Sequence, residues 1–265
     1  SKNNKVFQGD RIYTPINYKK YAKNNISSYV YKKHQIIKTF LDYLLSEYQE
    51  GNFVLDYLTD DLRPFFWHNF EKNKKIFSLE EVRYTSILNL KESKVISNLD
   101  EFLKTTMFQN FSRSIKQQIK ITMLNNFIFQ ENFDLKIAYQ IIKKTFNEQN
   151  KSIDYDFNEI DKIYKSLNKK NKLKMFTTSD NKKKILAFCI FGIIENKAIY
   201  LNGGRFGTGN NDYSLTYCLT KSLIYLQKKD INLFDLEGMN SPKRSFWKQG
   251  YGGKLLPYYK IVFKN

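Results

Sequence analysis

Glycine and proline are scarce, at 11 and 4 among 265 residues, which excludes collagen-like repeats and proline-rich linkers. Cysteine is scarcer still. Cys189 and Cys218 each lie inside an apolar run with no CxxC spacing, so neither a disulfide framework nor a thiolate metal site is expected, and the expected compartment is reducing. The two histidines, His34 and His68, make no metal-binding pair. Long apolar runs are missing too. The longest, 185–194, is of strand length and falls well short of the roughly 20 residues a bilayer-spanning helix needs. The opening SKNNK is polar and has no signal-like apolar core, so a cytoplasmic protein without an integral membrane segment is expected.

Acidic residues are also few. Against 26 Asp and Glu stand 44 Lys and Arg, a net charge of +18 that attracts polyanions: nucleic acid, acidic membrane surfaces and nucleotide-linked substrates. The lysines are spread along the whole chain, and 8 fall between 165 and 184, as on a solvated helix end and turn. No RNA-recognition, helix-turn-helix or zinc-finger pattern accompanies them. Aromatic residues are plentiful, with 22 Phe and 19 Tyr, and supply the apolar surface for one large domain or two small ones.

The patterning divides the chain at 98/99. In the first portion, 5–16 reads as a strand or two, 36–48 as a helix stopped near Gly51, 53–57 as a strand, 63–70 as an aromatic-dense loop and 83–90 as an alternating strand. From 99 onward helices lead. The stretch 111–121 places Arg113, Lys116 and Lys120 on one helix face, and 135–147 and 158–167 are amphipathic helices. Strands follow at 172–177, 184–194 and 198–202, then a helix at 213–227, a strand at 232–236, a short helix at 242–249 and a closing strand at 255–263. The second portion thus runs helix-helix-strand-strand-strand-helix-strand-helix-strand. This order is that of the GNAT acyltransferase fold.

Three segments carry the resemblance further. Asp235-Leu236-Glu237-Gly238-Met239-Asn240-Ser241-Pro242, followed by Phe246-Trp247-Lys248-Gln249-Gly250-Tyr251-Gly252-Gly253, resembles the closing signature of FemAB-like acyltransferases: an acidic strand end, then an aromatic-Lys-x-x-aromatic-Gly-Gly turn. The segment 111–120 is similar to that family's basic helix start, with Ile115 and Lys116 where its arginine pair usually stands. Residues 63–70 with Arg83-Tyr84-Thr85 are similar to the aromatic loop and strand that precede that helix. The resemblance implies an α+β, mixed-sheet GNAT-like fold with an abbreviated N-terminal portion of related kind.

The activity it implies is transfer of an acyl group, with acyl-CoA (acetyl-CoA) as donor, to the amine of an anionic acceptor such as a nucleotide-linked amino sugar or cell-envelope precursor. Two alternatives stay open: an aminoacyl-tRNA-dependent peptidoglycan-branching transferase, for which tRNA is a partner, and a non-catalytic binding module on the same fold.

Candidate site residues follow from this chemistry. Acyl transfer to an amine needs a proton acceptor and groups that stabilise an oxyanion. Asp235 and Glu237 alternate onto one side of their strand, and Glu237 is the expected base. The resemblance implies that Lys248 stabilises developing negative charge or grips a phosphate. His68 is a second titratable candidate. The glycine-rich turn 203–211 between a strand and a helix offers Arg205, Gly207, Thr208, Gly209 and Asn210 for an anionic donor, because converging backbone N–H groups and a helix N-terminus favour negative charge. Trp67, Arg83, Tyr84, Arg113, Lys116, Asp235 and Asn240 are the expected acceptor-binding residues, the arginines and Lys116 as a clamp for phosphate.

Overall fold

A computed structural model describes residues 5–7, 26–91, 96, 98–148, 156–206 and 212–265. The elements in chain order are β1 (Lys5–Phe7), α1 (Ile26–Glu47), β2 (Glu50–Leu55), α2 (Arg63–Glu71), β3 (Phe77–Asn89), α3 (Leu99–Phe102), α4 (Thr106–Gln109), α5 (Arg113–Thr122), β4 (Ile128–Glu131), α6 (Leu135–Glu148), α7 (Phe157–Lys169), β5 (Leu173–Ser179), β6 (Ile185–Ile194), β7 (Lys197–Arg205), α8 (Ser214–Gln227), β8 (Leu233–Asp235), α9 (Pro242–Gln249) and β9 (Lys254–Lys264). They form two compact units, residues 1–85 with 256–265, and residues 86–255.

In the first unit β1 pairs parallel with β2, and β2 pairs antiparallel with β9, Phe53 facing Ile261. The expected strand over 8–16 lies outside the described residues. Helix α1 begins ten residues earlier than its periodic stripe predicts, and it ends at Glu47, so Gly51 falls inside β2 and stops nothing. Its buried residues Ile37, Leu41 and Leu44, spaced four and three apart, pack on Phe53, Leu55, Phe65, Phe77, Ile261 and Phe263.

The expected aromatic loop is a helix, α2. Pro64 in its first turn suits a helix start, where the missing N–H costs nothing. Asn69 ties the helix to the segment entering β3: its side-chain oxygen accepts the N–H groups of Ile76 (2.9 Å) and Phe77 (2.7 Å), and its amide donates to the Phe77 carbonyl (2.6 Å).

The second unit holds the expected order, α6-α7-β5-β6-β7-α8-β8-α9, with the start of β9. Its strands run β8-β7-β6-β5-β4, and the last residues of β3 pair with β8. Period-two alternation sends Phe176, Cys189 and Phe191 to one face and Met175, Phe188 and Ile190 to the other. Helix α8 covers the first face with Cys218, Leu219, Leu223 and Ile224, and α6 covers the second with Ala138, Ile141 and Ile142. Helix α5 begins at a serine cap, where Ser112 Oγ accepts the Ile115 N–H (3.3 Å), and it buries Ile115 and Ile119 in the α8 core. Strand β4, an edge strand, has no counterpart in the sequence reading.

Two irregularities shape β7. A register break opposite Ile190 and Phe191 makes Leu201 an extra residue, so the pairing passes from Tyr200 to Asn202 across a bulge. Parallel pairing with β8 then covers only Lys197 to Ile199 against Leu233 to Asp235. Beyond it β7 runs on to Arg205, while the other strand turns away through two left-handed residues, Glu237 (φ 40°) and Gly238 (φ 60°).

Candidate functional site

The divergence of β7 from β8 opens a cavity of about 330 Å3, lined from β7 by Tyr200, Leu201, Asn202 and Gly203 and from the opposite side by Glu237, Gly238, Asn240 and Lys248. A regular strand sends successive side chains to opposite faces; the bulge at Leu201 lets four consecutive residues border one space. A second cavity of about 420 Å3 lies at the start of α8, lined by Gln118, Arg205, Asp212, Tyr213, Thr216 and Lys243. Leu215, Arg244 and Trp247 border both.

Lys248 is the dominant group of the first cavity. It projects from α9 and is only 7% exposed. Its ammonium donates to the Leu236 carbonyl (2.7 Å) and to the Glu237 carbonyl, and Nζ lies 5.1 Å from the centre of the Tyr200 ring. Burial pulls its pKa down from 10.5 to about 8, with Glu237 and Asp235 opposing and Arg244 reinforcing the shift. It is therefore mostly protonated at pH 7.

Gly203 leaves the space that the Tyr200 ring occupies. A Cβ at Gly203 would overlap the Tyr200 hydroxyl and lie 2.7 Å from its ring carbon Cζ. Burial keeps that phenol neutral by pushing its pKa well up. The turn that presents Glu237 is fixed by Asp235, whose Oδ1 accepts the Glu237 N–H (3.0 Å). Asp235 itself is fully buried and supports the turn without bordering the cavity.

The second cavity is cationic, with Arg205, Lys243 and Arg244 against the single carboxylate of Asp212, and it faces the N-terminus of a 14-residue helix. Arg205 is oriented by donating to the Asp212 carbonyl. Trp247 is fixed by a relay in which its indole N–H donates to Thr216 Oγ1 (3.3 Å) and that hydroxyl donates to Gln118 Oε1 (2.8 Å).

Of the residues expected from the sequence, Glu237, Asn240 and Lys248 meet at the first cavity and Arg205 borders the second. Gly207, Thr208, Gly209 and Asn210 lie outside the described residues. Gly203, Gly204 and Arg205 belong to β7 and not to the turn expected there. Helix α5 reaches the second cavity with Gln118 and not with its cations: Lys116 donates to the Gln109 carbonyl (2.7 Å), and Arg113 is exposed.

Trp67, His68, Arg83 and Tyr84 belong to the first unit, and none of them borders either cavity. His68 is a core residue, its ring edge-on to Phe77 (5.4 Å between centroids), and burial holds its imidazole below the usual value and neutral. Arg83 donates to Glu81 (2.7 Å).

Tyr200, Asn202, Gln118, Arg244 and Trp247 were absent from the expected set. Glycines 203 and 204 inside a strand pattern were the available signal for the first two, since a strand glycine marks a bulge or a close approach.

No protein-family model matches the chain, and no curated protein matches it. Solved structures do. FemX superposes with a TM-score of 0.68 at 12% identity, over 89% of this chain and 78% of that one. The C-terminal DUF2156 domain of a protein assigned as a lysylphosphatidylglycerol synthetase in Agrobacterium fabrum gives 0.55 at 12% identity, over 88% of this chain and 73% of that one. L-PGS from Bacillus licheniformis gives 0.55 at 10%, over 87% and 73%. At such identities the likeness is one of fold. The chain has a mixed α/β fold in the arrangement of FemX.

Proposed function

We propose that this protein is an enzyme that transfers an activated acyl or aminoacyl group to an amine in the opening between β7 and β8. The observation that carries the reading is the early parting of these strands, with a carboxylate and a buried ammonium on one wall of the resulting cavity. In the step proposed, the amine nitrogen attacks the carbonyl carbon and a C–N bond forms. The bond from that carbon to its carrier breaks, the carrier leaving with the electron pair. Glu237 accepts the proton lost by the nitrogen, and the Lys248 ammonium faces the oxyanion that develops. The cationic cavity at the start of α8 suits the phosphates of the carrier, with Arg205, Lys243 and Arg244 as the holding residues.

Two carriers share that chemistry. Acyl-CoA suits the cations of the second cavity and the helix N-terminus beside it. The superposition on FemX favours an aminoacyl-tRNA, and the net charge of +18 suits that polyanion equally well. The acceptor is an anionic molecule bearing an amine.

Incubation of the full chain with labelled acetyl-CoA, and separately with labelled aminoacyl-tRNA, against a panel of amines distinguishes the donors. Transfer from one that falls about 100-fold or more in Glu237→Gln supports the proposal. Transfer from neither, with no binding of either carrier, overturns it and leaves the fold as a binding module.

A further inference from the structure

Helix α2 is apolar on both faces. At about 3.6 residues per turn, Pro64, Phe65 and His68 share the buried face, whereas Phe66, Trp67 and Phe70 share the opposite one. Those three rings are 40%, 45% and 86% exposed. A helix that is apolar all round is normally buried, and the outer face of this one is not. The stripe extends to the neighbouring helix: His34 of α1 meets Trp67 edge-on at 5.0 Å, and Tyr31, one turn earlier, is an exposed ring on that side.

The exposed charges that follow the helix directly are positive: Lys72, Lys74 and Lys75. Of the nearby carboxylates, Asp42 lies 3.8 Å from the buried His68 ring, whereas Asp61 and Glu71 are held by cations. Asp61 accepts from Arg63 in a bidentate pair (2.8 Å for both bonds), and Glu71 is paired with Lys38. Arg63 also lies over Trp67, 5.1 Å from its ring centre. Exposed Phe and Trp on a short helix, with a lysine collar directly after it, is the composition of a helix that lies in the headgroup region of a bilayer. Nine residues span only about 13 Å, too short to cross one, and no described helix is long and apolar enough to do so.

We infer that α2 and the lysines after it dock this protein on an anionic lipid surface, with Phe66, Trp67 and Phe70 inserted between headgroups and Lys72, Lys74 and Lys75 against lipid phosphates. The inference is independent of the chemistry proposed for the cleft; vesicle binding and acyl transfer fail or succeed separately.

Co-sedimentation of the full chain with vesicles of phosphatidylcholine alone, and of phosphatidylcholine with phosphatidylglycerol, tests it. Partition is expected into the anionic vesicles and to be weakened by salt. Phe70→Ser lowers it about tenfold, and joint reversal of Lys72, Lys74 and Lys75 to Glu lowers it at least as much. In a Trp247→Phe background, Trp67 fluorescence is expected to be quenched by lipids brominated on the acyl chain. Thermal unfolding is a control, because these side chains are exposed and their replacement leaves the core intact. Absence of partition into anionic vesicles, or partition that Phe70→Ser leaves unchanged, overturns the inference. So does a dimer that Phe70→Ser dissociates in a protein that ignores vesicles, since the stripe would then face a second copy.

Discussion

Raising the pH from 7 to 10 is expected to relieve a stability penalty at Lys248. The ammonium is buried, and its pKa is about 8 in the folded protein against 10.5 for an ordinary lysine. Between those values the unfolded chain binds the proton that the folded chain has released, so stability rises with pH across that window and is flat below it. At about 1.4 kcal/mol per pKa unit, the gain between pH 7 and pH 10 is about 2 to 3 kcal/mol.

Other lysines and tyrosines titrate over the same range, so the relevant quantity is a difference. Urea unfolding of the wild type and of Lys248→Met at both pH values isolates the contribution of this one group. The wild type is expected to gain about 2 to 3 kcal/mol more than the variant. An equal change in both proteins, or a larger gain in the variant, refutes the reasoning, because it would mean that the ammonium is as well solvated in the cavity as in water.

Three further outcomes follow from the geometry. Gly203→Ala forces Tyr200 off its position and is expected to cost about 1 to 3 kcal/mol in chemical denaturation; an unchanged midpoint would show that the ring moves freely. Glu237→Gln is expected to abolish most transfer while lowering the unfolding free energy by about 1 kcal/mol, since it removes a carboxylate that offsets the buried Lys248 charge but supports no apolar core; circular dichroism against urea checks it. Asn69→Ala removes three hydrogen bonds around Ile76 and Phe77 and is expected to destabilise by about 2 to 3 kcal/mol, measured the same way, with Asn69→Asp retaining the two accepted bonds and less affected.

The second unit was readable because its patterns are redundant. Strands β5, β6 and β7 alternate over a two-faced core, and α8 repeats apolar residues at helical spacing, so any one misassigned residue leaves the period visible. Helix α2 was misread for the reason that makes it interesting: rings on both faces erase the helical stripe. Strand β4 was missed because three of its four residues are exposed, and its existence depends on pairing with β5. The glycine-rich turn was placed too early, since Gly203 and Gly204 look like turn residues until the rings of Tyr200 and Phe188 are seen to fill the space a Cβ would need.

The chain by itself determined the order of elements from residue 135 onward, the excess of positive charge and three residues of the cleft, Glu237, Asn240 and Lys248, because those properties live in local spacing and in a short contiguous signature. Tertiary structure decided what no local pattern encodes. It determined where β7 and β8 part, which side chains from α8 and α9 meet Tyr200 and Asn202 across that gap, and that β9 completes a unit begun at the other end of the sequence. A bulge, a burial depth and a pairing between distant strands are set by the summed packing of the whole unit. The depressed pKa of Lys248 is one such outcome: the residue is legible in the signature, whereas its desolvation exists only once the fold closes around it.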